Sequence, residues 1–240
     1  GVHSPEYAFE KVTENVREGA KKLGVTYPVA VDSDLKTWKN FDNHYWPAQY
    51  LVDESGKVRH IHYGEGGEAT AEKLIRRLLT EQNPGVKLPE PVFTGSKAAA
   101  RDGKAGSSAE KTNPETYLFP SRASYYAGRP QLREGTADYG DPGEPKRGTF
   151  NLAGAWNAGA ESITPARGSA QVRLGLHARR VYLVASGEGE VTYTFAGKTY
   201  TKKVSGTPNA VDLLPGDGRK EGTLKVEASS GVHLHSFTFG

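Results

Sequence analysis

The sequence predicts a chain in two parts, an α/β part followed by an all-β sandwich of jelly-roll type. Residues 1–85 place apolar residues at helical spacing around a strand–turn–strand pattern. Residues 86–115 are rich in Pro, Gly, Ala, Ser and Lys, which is typical of a linker. Residues 116–240 contain short alternating segments separated by turn signals, which predicts the sandwich.

Composition excludes several classes of function. The net charge is +3 with no basic stripe, so we predict no nucleic-acid partner. No run of about 18 apolar residues is present, so the sequence predicts no membrane-spanning helix. The chain contains no Cys, which rules out disulfides, thiolate metal sites and thiol catalysis by its own residues.

The α/β part begins with a predicted helix. Ser4 and Pro5 suit a helix start, and Gly24 suits its end. The apolar residues between them share one helical face: Phe9, Val12, Val16, Ala20 and Leu23. Residues 25–31 then predict an extended connection, and residues 32–41 a further helical turn or two.

A predicted hairpin and a last helix complete this part. Strands are expected at 48–52 and 57–63, joined by the turn at 53–56. A final apolar helical stripe follows and stops at Asn83-Pro84-Gly85: Ala71, Leu74, Ile75, Leu78 and Leu79.

The all-β part is predicted from alternation between turns. Segments 171–176, 180–184, 190–195 and 231–239 alternate apolar and polar residues. Gly and Pro clusters separate them, so short antiparallel strands are expected.

Short ordered motifs give a family resemblance. They are the stretches 1–10, 26–29 (Thr-Tyr-Pro-Val), 45–47 (Tyr-Trp-Pro) and 64–66 (Gly-Glu-Gly). With these the chain resembles the TlpA/ResA-like redoxins, in particular the extracytoplasmic part of DipZ-type proteins, which join a thioredoxin-like domain to a carbohydrate-module-like β-sandwich. The resemblance implies that residues 1–85 are the C-terminal part of a thioredoxin-like domain and that residues 116–240 are the β-sandwich.

The resemblance also implies a reactive segment that this sequence lacks. In that family a strand and a helix with Cys-x-x-Cys precede the position of Gly1. There the helix dipole lowers the pKa of the nucleophilic thiol. We therefore expect the cysteines of a longer parent protein upstream of Gly1, and no redox activity from these 240 residues alone.

Three residues are candidates for a substrate groove beside the dithiol. The resemblance implies a cis bond before Pro47, which frees the backbone of Trp46 to pair with an extended substrate. The alternative is a trans proline that opens a strand. Trp46 is either an apolar lip of the groove or core packing. Glu6 either relays a proton in disulfide exchange or merely favours a helix N-terminus.

Metal and calcium sites receive weaker support. His60 and His62 lie on one face of a predicted strand, as do His233 and His235, but no third ligand is evident, so no metal site is predicted. The loop residues Asp138, Asp141 and Asp217 could hold Ca²⁺, although their spacing is not diagnostic. No cofactor is predicted.

Aromatic residues of the all-β part suggest a sugar site. Tyr125, Tyr126 and Trp156 lie near predicted loops and could stack on pyranose rings. A sandwich core uses aromatic residues at the same alternation, which is the alternative reading.

The leading hypothesis is that the chain is part of a cell-envelope thiol–disulfide oxidoreductase, and that the parent protein is tethered to the membrane. Its partners would be protein dithiol or disulfide substrates, or a membrane electron donor. The alternative hypothesis is a non-catalytic module that binds a glycan or a protein on a redoxin-derived scaffold.

Overall fold

The structure is a computed structural model that describes residues 1–93, 112–216 and 218–240, with Ser169 described by its backbone alone. Most of the predicted linker, residues 94–111, and the candidate Asp217 lie outside the described residues. The chain divides into two compact units. The first comprises Gly1–Pro5 and Thr26–Ala109, and the second comprises Glu6–Val25 and Glu110–Gly240. The predicted domain boundaries at 85 and 115 stay a prediction.

The elements are numbered along the chain. The α-helices are α1 (Thr13–Lys22), α2 (Lys36–Asn40) and α3 (Glu68–Gln82). The first four strands are β1 (Val2–His3), β2 (Ala30–Val31), β3 (Ala48–Val52) and β4 (Val58–Tyr63). The remaining strands are β5 (Thr116–Tyr117), β6 (Gly135–Asp138), β7 (Phe150–Ala158), β8 (Ile163–Ala178), β9 (Val181–Gly187), β10 (Gly189–Phe195), β11 (Lys198–Val204), β12 (Asn209–Asp212), β13 (Lys220–Ala228) and β14 (Val232–Phe239). Of the helices that the structure describes, none is both long and apolar enough to cross a lipid bilayer.

The first unit contains two separate two-stranded sheets. β1 pairs with β2 in parallel, and β3 pairs with β4 antiparallel. The turn between β3 and β4 is closed by Asp53, whose carboxylate accepts the backbone N–H groups of Ser55 and Lys57 at 3.0 Å each. Gly56 takes φ +80° there, a conformation that glycine adopts without a steric penalty.

The first predicted helix begins later than the sequence suggests. A 3₁₀ turn at Ala8–Lys11 precedes α1, and Gly24 ends the helix at φ +66° as predicted. Ser4 does not cap this helix because its hydroxyl donates to Asp32 at 3.2 Å. Instead Glu10 accepts the backbone N–H of Tyr7 at 3.0 Å.

The second unit is dominated by a ten-stranded sheet. Its main path runs β11-β10-β13-β8-β14-β9-β12, and β5, β6 and β7 join it at the side. All pairings between its named strands are antiparallel. The β-rich architecture predicted for residues 116–240 is therefore present, while the jelly-roll type stays a prediction.

The hydrophobic core of the described residues lies in the second unit. Large side chains that alternate along the strands are completely buried there, among them Phe150, Leu174, Leu183, Leu224 and Phe237. Burial of a side chain of this size stabilises a fold by about 1.5–3 kcal/mol. The β-rich unit thus has the core that an independent domain requires.

Candidate functional site

The loop before β3 presents Trp46 and Pro47, two of the predicted groove residues. Their peptide bond is cis. Trp46 lies beside Trp38 with ring centroids 4.2 Å apart, and its Nε1 donates to the carbonyl of Ser4 at 3.0 Å. Trp46 is nevertheless 47% exposed. In the part of the chain that the structure describes, its backbone N–H and C=O make no hydrogen bond, so both are available to an extended partner strand.

Other aromatic side chains continue the exposed surface around this loop. Tyr45 lies 4.9 Å from Tyr63, measured between ring centroids, and both are exposed. The hydroxyl of Tyr50 donates to Asn43 at 3.1 Å. Desolvation, with the neighbouring hydroxyl of Tyr63, raises the pKa of Tyr50 to about 12. The Tyr50 hydroxyl is therefore a neutral hydrogen-bonding group near pH 7.

Asp32 is a polar anchor beside the loop that the sequence analysis did not single out. Its carboxylate accepts the backbone N–H groups of Thr37 and Trp38, each at 2.9 Å, and the hydroxyl of Ser4. Burial on its own raises the pKa of this carboxyl, but the three hydrogen bonds outweigh burial and hold the pKa below its usual range. An Asp at the first position of the helical turn predicted over 32–41 was the available signal.

The first unit has no apolar core among its described residues. None of its described large apolar side chains is buried, and many stay exposed, including Val2, Phe41, Ile61, Ile75 and Leu79. Each strand of its two small sheets pairs on one side only within the described residues. Unpaired edges and uncovered apolar faces are the features of a sheet that accepts a further strand.

Glu6, the third predicted groove residue, belongs to the second unit. Its Oε1 accepts a hydrogen bond from the hydroxyl of Tyr117 and one from Nη1 of Arg122 at 3.3 Å. Sequence reasoning did not find these two partners, because they lie more than 100 residues away and no spacing rule connects them.

The three aromatic candidates for sugar binding occupy different environments. Trp156 is completely buried, and its Nε1 donates to the carbonyl of Ala153 at 3.0 Å. No face of its ring is available to a sugar, which corrects the assignment of Trp156 as a stacking residue. Tyr126 is half-buried against Phe150, with ring centroids 5.4 Å apart. Tyr125 is 40% exposed and is the candidate with an accessible ring.

The histidine pairs differ from the expected alternation. A β-bulge at His235 in β14 interrupts the pairing with β9, so that His233 is exposed while His235 is buried. The expectation that the two share one face is therefore wrong. His60 and His62 are both half-buried on β4.

Among the residues described, no three His, Asp or Glu side chains come close enough to hold a metal ion. The candidate Asp141 instead pairs with Arg173 at 2.5 Å, and the candidate Asp138 accepts the backbone N–H of Gly140 at 2.9 Å.

The sequence of this chain is similar to a protein family and to individual known proteins. A family model described as "Thioredoxin like C-terminal domain" matches residues 113–240, just over half of the chain. The chain is 40% identical over all of its 240 residues to Protein DipZ of Mycobacterium tuberculosis and of Mycobacterium bovis. It is 35% identical over 80 residues to the thiol-disulfide oxidoreductase YkuV of Bacillus subtilis, which covers 33% of this chain and 54% of YkuV.

The match to DipZ covers 34% of that protein. The chain therefore spans about a third of the length of these relatives.

Proposed function

This chain belongs to the thioredoxin-like C-terminal domain family, and from that premise we propose that it is part of a cell-envelope thiol–disulfide oxidoreductase. A Cys-x-x-Cys segment encoded before Gly1 supplies the reactive thiols. The 240 residues supply the substrate-facing loop and the β-rich unit, and they have no redox activity by themselves because they contain no Cys.

The lack of buried large apolar side chains among the described residues of the first unit supports this proposal most directly. Its described apolar side chains would be covered, and its strand edges paired, by one additional strand and one additional helix. We place the strand between β1 and β3. The indole of Trp46, two residues before β3, donates to the carbonyl of Ser4, the residue after β1, so these two strands have neighbouring ends.

The reaction exchanges one disulfide for another. A thiolate of the Cys-x-x-Cys pair attacks one sulfur of the substrate disulfide, a new S–S bond forms, and the substrate S–S bond breaks. The departing sulfur takes up a proton. The second thiol then loses a proton and attacks the mixed disulfide, which releases a substrate dithiol. The substrate gains two electrons, and the cysteine pair loses two as it becomes a disulfide. The reverse sequence oxidises a dithiol.

The residues of this chain bind and orient the partners. The exposed ring of Trp46 contacts apolar side chains of the substrate protein, and its free backbone groups pair with an extended substrate segment. Pro47 forms the floor of that groove.

The similarity to the thiol-disulfide oxidoreductase YkuV supports thiols and disulfides as the substrate class. The cell envelope as the location is part of our proposal. A membrane electron donor or acceptor would then regenerate the cysteine pair. Tethering of the parent protein to the membrane is part of the same proposal.

The test compares this chain with the longer polypeptide that its gene encodes. Reduction of insulin disulfides is measured for the longer protein, for its double Cys→Ser variant and for residues 1–240 alone. We expect turnover by the longer protein only. An encoded sequence without Cys-x-x-Cys, or turnover by residues 1–240 above a buffer blank, would refute the proposal.

Glycan binding by the β-rich unit is a second proposal with one observation in its favour. The ring of Tyr125 is exposed, while its carbonyl is held by the backbone N–H of Phe150 at 3.0 Å. A fixed exposed ring suits stacking on a sugar. Calorimetric binding of a cell-wall oligosaccharide that disappears in Tyr125→Ala would support this, and unchanged binding would remove Tyr125 from the site.

A further inference from the structure

The strand β11 (Lys198–Val204) forms one edge of the ten-stranded sheet. Among the described residues it pairs with β10 alone, along its whole length. Its first six side chains are exposed, and only the last, Val204, is buried. The other strands of this sheet that pair with a single strand have two to four residues: β5, β6 and β12. In the part of the chain that the structure describes, β11 is therefore the longest open edge of the sheet.

The turn before β11 determines which backbone groups of this edge are available. Ala196 and Gly197, with φ +49° and +75°, join β10 to β11 in a two-residue hairpin whose first pair is Phe195 and Lys198. In such a hairpin the residues that flank the turn exchange backbone hydrogen bonds, and every second pair along the ladder does the same. The N–H and C=O groups that point away from the sheet therefore belong to the alternate residues: Thr199, Thr201 and Lys203.

Threonine pairs hold β11 firmly against β10. The hydroxyl oxygens of Thr192 and Thr201 lie 3.2 Å apart, and those of Thr194 and Thr199 lie 2.9 Å apart. Opposite side chains come closest at the pairs that do not exchange backbone hydrogen bonds, which agrees with outward backbone groups at Thr199 and Thr201. Because the strand is already fixed on one side, it loses little conformational entropy when a partner strand binds on the other.

The side chains of β11 give the edge a positive charge. Lys198, Lys202 and Lys203 are exposed, and the strand contains no acidic residue. Within the ranges that the structure describes, these three ammonium groups make no ion pair. Glu190 of β10 stands opposite Lys203 in the ladder, whereas Lys198 and Lys202 have the uncharged Phe195 and Val191 opposite them. These two lysines lie four positions apart and therefore on the same face of the strand.

We propose that β11 is a docking edge for an extended segment of a partner protein that carries acidic residues four positions apart and adds to the sheet as a further strand. The outward backbone groups of β11 would supply the affinity, and Lys198 and Lys202 would select the acidic side chains. A second copy of β11 does not fit this edge, because the lysines of the two strands would repel each other. The proposal is independent of disulfide exchange and requires no Cys.

A peptide titration tests the docking edge directly. Residues 1–240, labelled with ¹⁵N, are titrated with acetyl-Glu-Glu-Thr-Val-Thr-Glu-amide, whose Thr and Val residues favour an extended strand. In an antiparallel arrangement its three Glu residues lie beside the three lysines of β11. We expect chemical shift changes and slower hydrogen exchange at the outward amides of β11. The peptide with Lys in place of each Glu is the control and should not bind. No change at these amides at the solubility limit of the acidic peptide would overturn the proposal.

A proline in β11 separates strand addition from general attraction between charges. Thr201→Pro removes one outward N–H but keeps the charge and the ladder with β10, because proline is tolerated where a strand N–H faces away from the sheet. Thr201→Val loses only the hydroxyl and is the matched control. We expect Thr201→Pro to weaken peptide binding about tenfold, which corresponds to one lost hydrogen bond, and Thr201→Val to change it little. Equal binding by wild type and Thr201→Pro would mean that the edge attracts any polyanion, and would overturn the proposal.

Charge reversal tests the role of the lysines. The double variant Lys198→Glu, Lys202→Glu should bind the acidic peptide about tenfold more weakly, since two favourable contacts become repulsive. Lys21→Glu with Lys22→Glu makes the same change in net charge at exposed positions of α1 and should leave binding unchanged. Equal weakening by both double variants would contradict selection by β11. Amide spectra of β8 and β13 show whether each variant is folded, and the reversal decides if Thr201→Pro is not.

Discussion

The rings of Trp38 and Trp46 lie 4.2 Å apart, between the short helix α2 and the loop that opens β3. Trp38 is half-buried beneath its partner, while Trp46 keeps about half of its surface exposed. Trp38 therefore supports the ring of Trp46, and Trp46 exposes part of its surface to a binding partner. An aromatic surface fixed from behind loses little conformational entropy when it binds a partner.

Removing the exposed ring of Trp46 should weaken substrate binding more than it slows the chemical step. In the longer encoded protein we expect Trp46→Ala to raise KM for insulin about tenfold, or about 1.4 kcal/mol, with kcat changed little. Tyr200→Ala is the control, since Tyr200 is an equally exposed aromatic residue of the β-rich unit. A fall in kcat at constant KM would contradict a binding role for Trp46.

Trp156 and Tyr125 should differ sharply in their effect on stability. Trp156→Ala leaves a large cavity in the core of the second unit, so we expect a loss of about 3–5 kcal/mol in its free energy of unfolding. Tyr125→Ala should stay within about 0.5 kcal/mol of the wild type, because its ring is exposed. Urea unfolding measures both, and a tolerated Trp156→Ala would contradict the burial of that ring.

The local elements of this chain were largely predictable, and the site was not. The hairpin of β3 and β4 follows from alternation and from the Asp-x-x-Gly turn, both of which are local signals. The bulge that buries His235 could not be foreseen, because alternation assumes an unbroken ladder. Ser4 was expected to cap the first helix, but its hydroxyl donates a hydrogen bond to Asp32, a residue 28 positions away.

Burial should make His235 a source of pH-dependent stability. Its Nδ1 lies 2.7 Å from the carbonyl of Glu161 and must donate, so in the neutral ring Nε2 accepts from Ser186 at 2.9 Å. Desolvation lowers the pKa of His235 below its ordinary value. The unfolded chain therefore binds the proton more readily, and the second unit should lose stability as pH falls below about 6.5.

Urea midpoints between pH 5 and 8 check this expectation. His235→Gln should remove the loss of stability below about pH 6.5, whereas His233→Gln, at the exposed neighbour, should leave the wild-type profile unchanged. Glu115, just before β5, works in the opposite direction, because desolvation raises the pKa of its carboxyl to about 7 and stability is lost as pH rises through that value. The two contributions partly cancel in the wild type, so His235→Gln should leave stability that falls with rising pH and Glu115→Gln should leave stability that falls with falling pH. A single variant that keeps the wild-type profile would contradict the assignment of that residue.

Asp32 should govern the acid stability of the first unit. Its lowered pKa means that the ionised carboxylate is the form that the folded state favours. The stabilisation is present above the ordinary pKa of Asp, about 3.9, and is lost as pH falls toward the lower folded value. Asp32→Asn should remove this acid dependence and fray α2, which amide exchange at Thr37 and Trp38 would show. Asp34→Asn, two residues away, is the matched control.

Hydrogen exchange tests whether a further strand joins the first unit. In residues 1–240, amides of β1 and β3 should exchange rapidly, since among the described residues these strands pair on one side only and no apolar core covers them. Amides of β8 and β13, which pair with each other in the β-rich unit, should exchange slowly. In the longer encoded protein we expect protection of β1 and β3 to rise by at least about tenfold, because an inserted strand would bond their free edges. Equal protection in the two proteins would mean that the added segment does not join this sheet, whatever chemistry its residues carry.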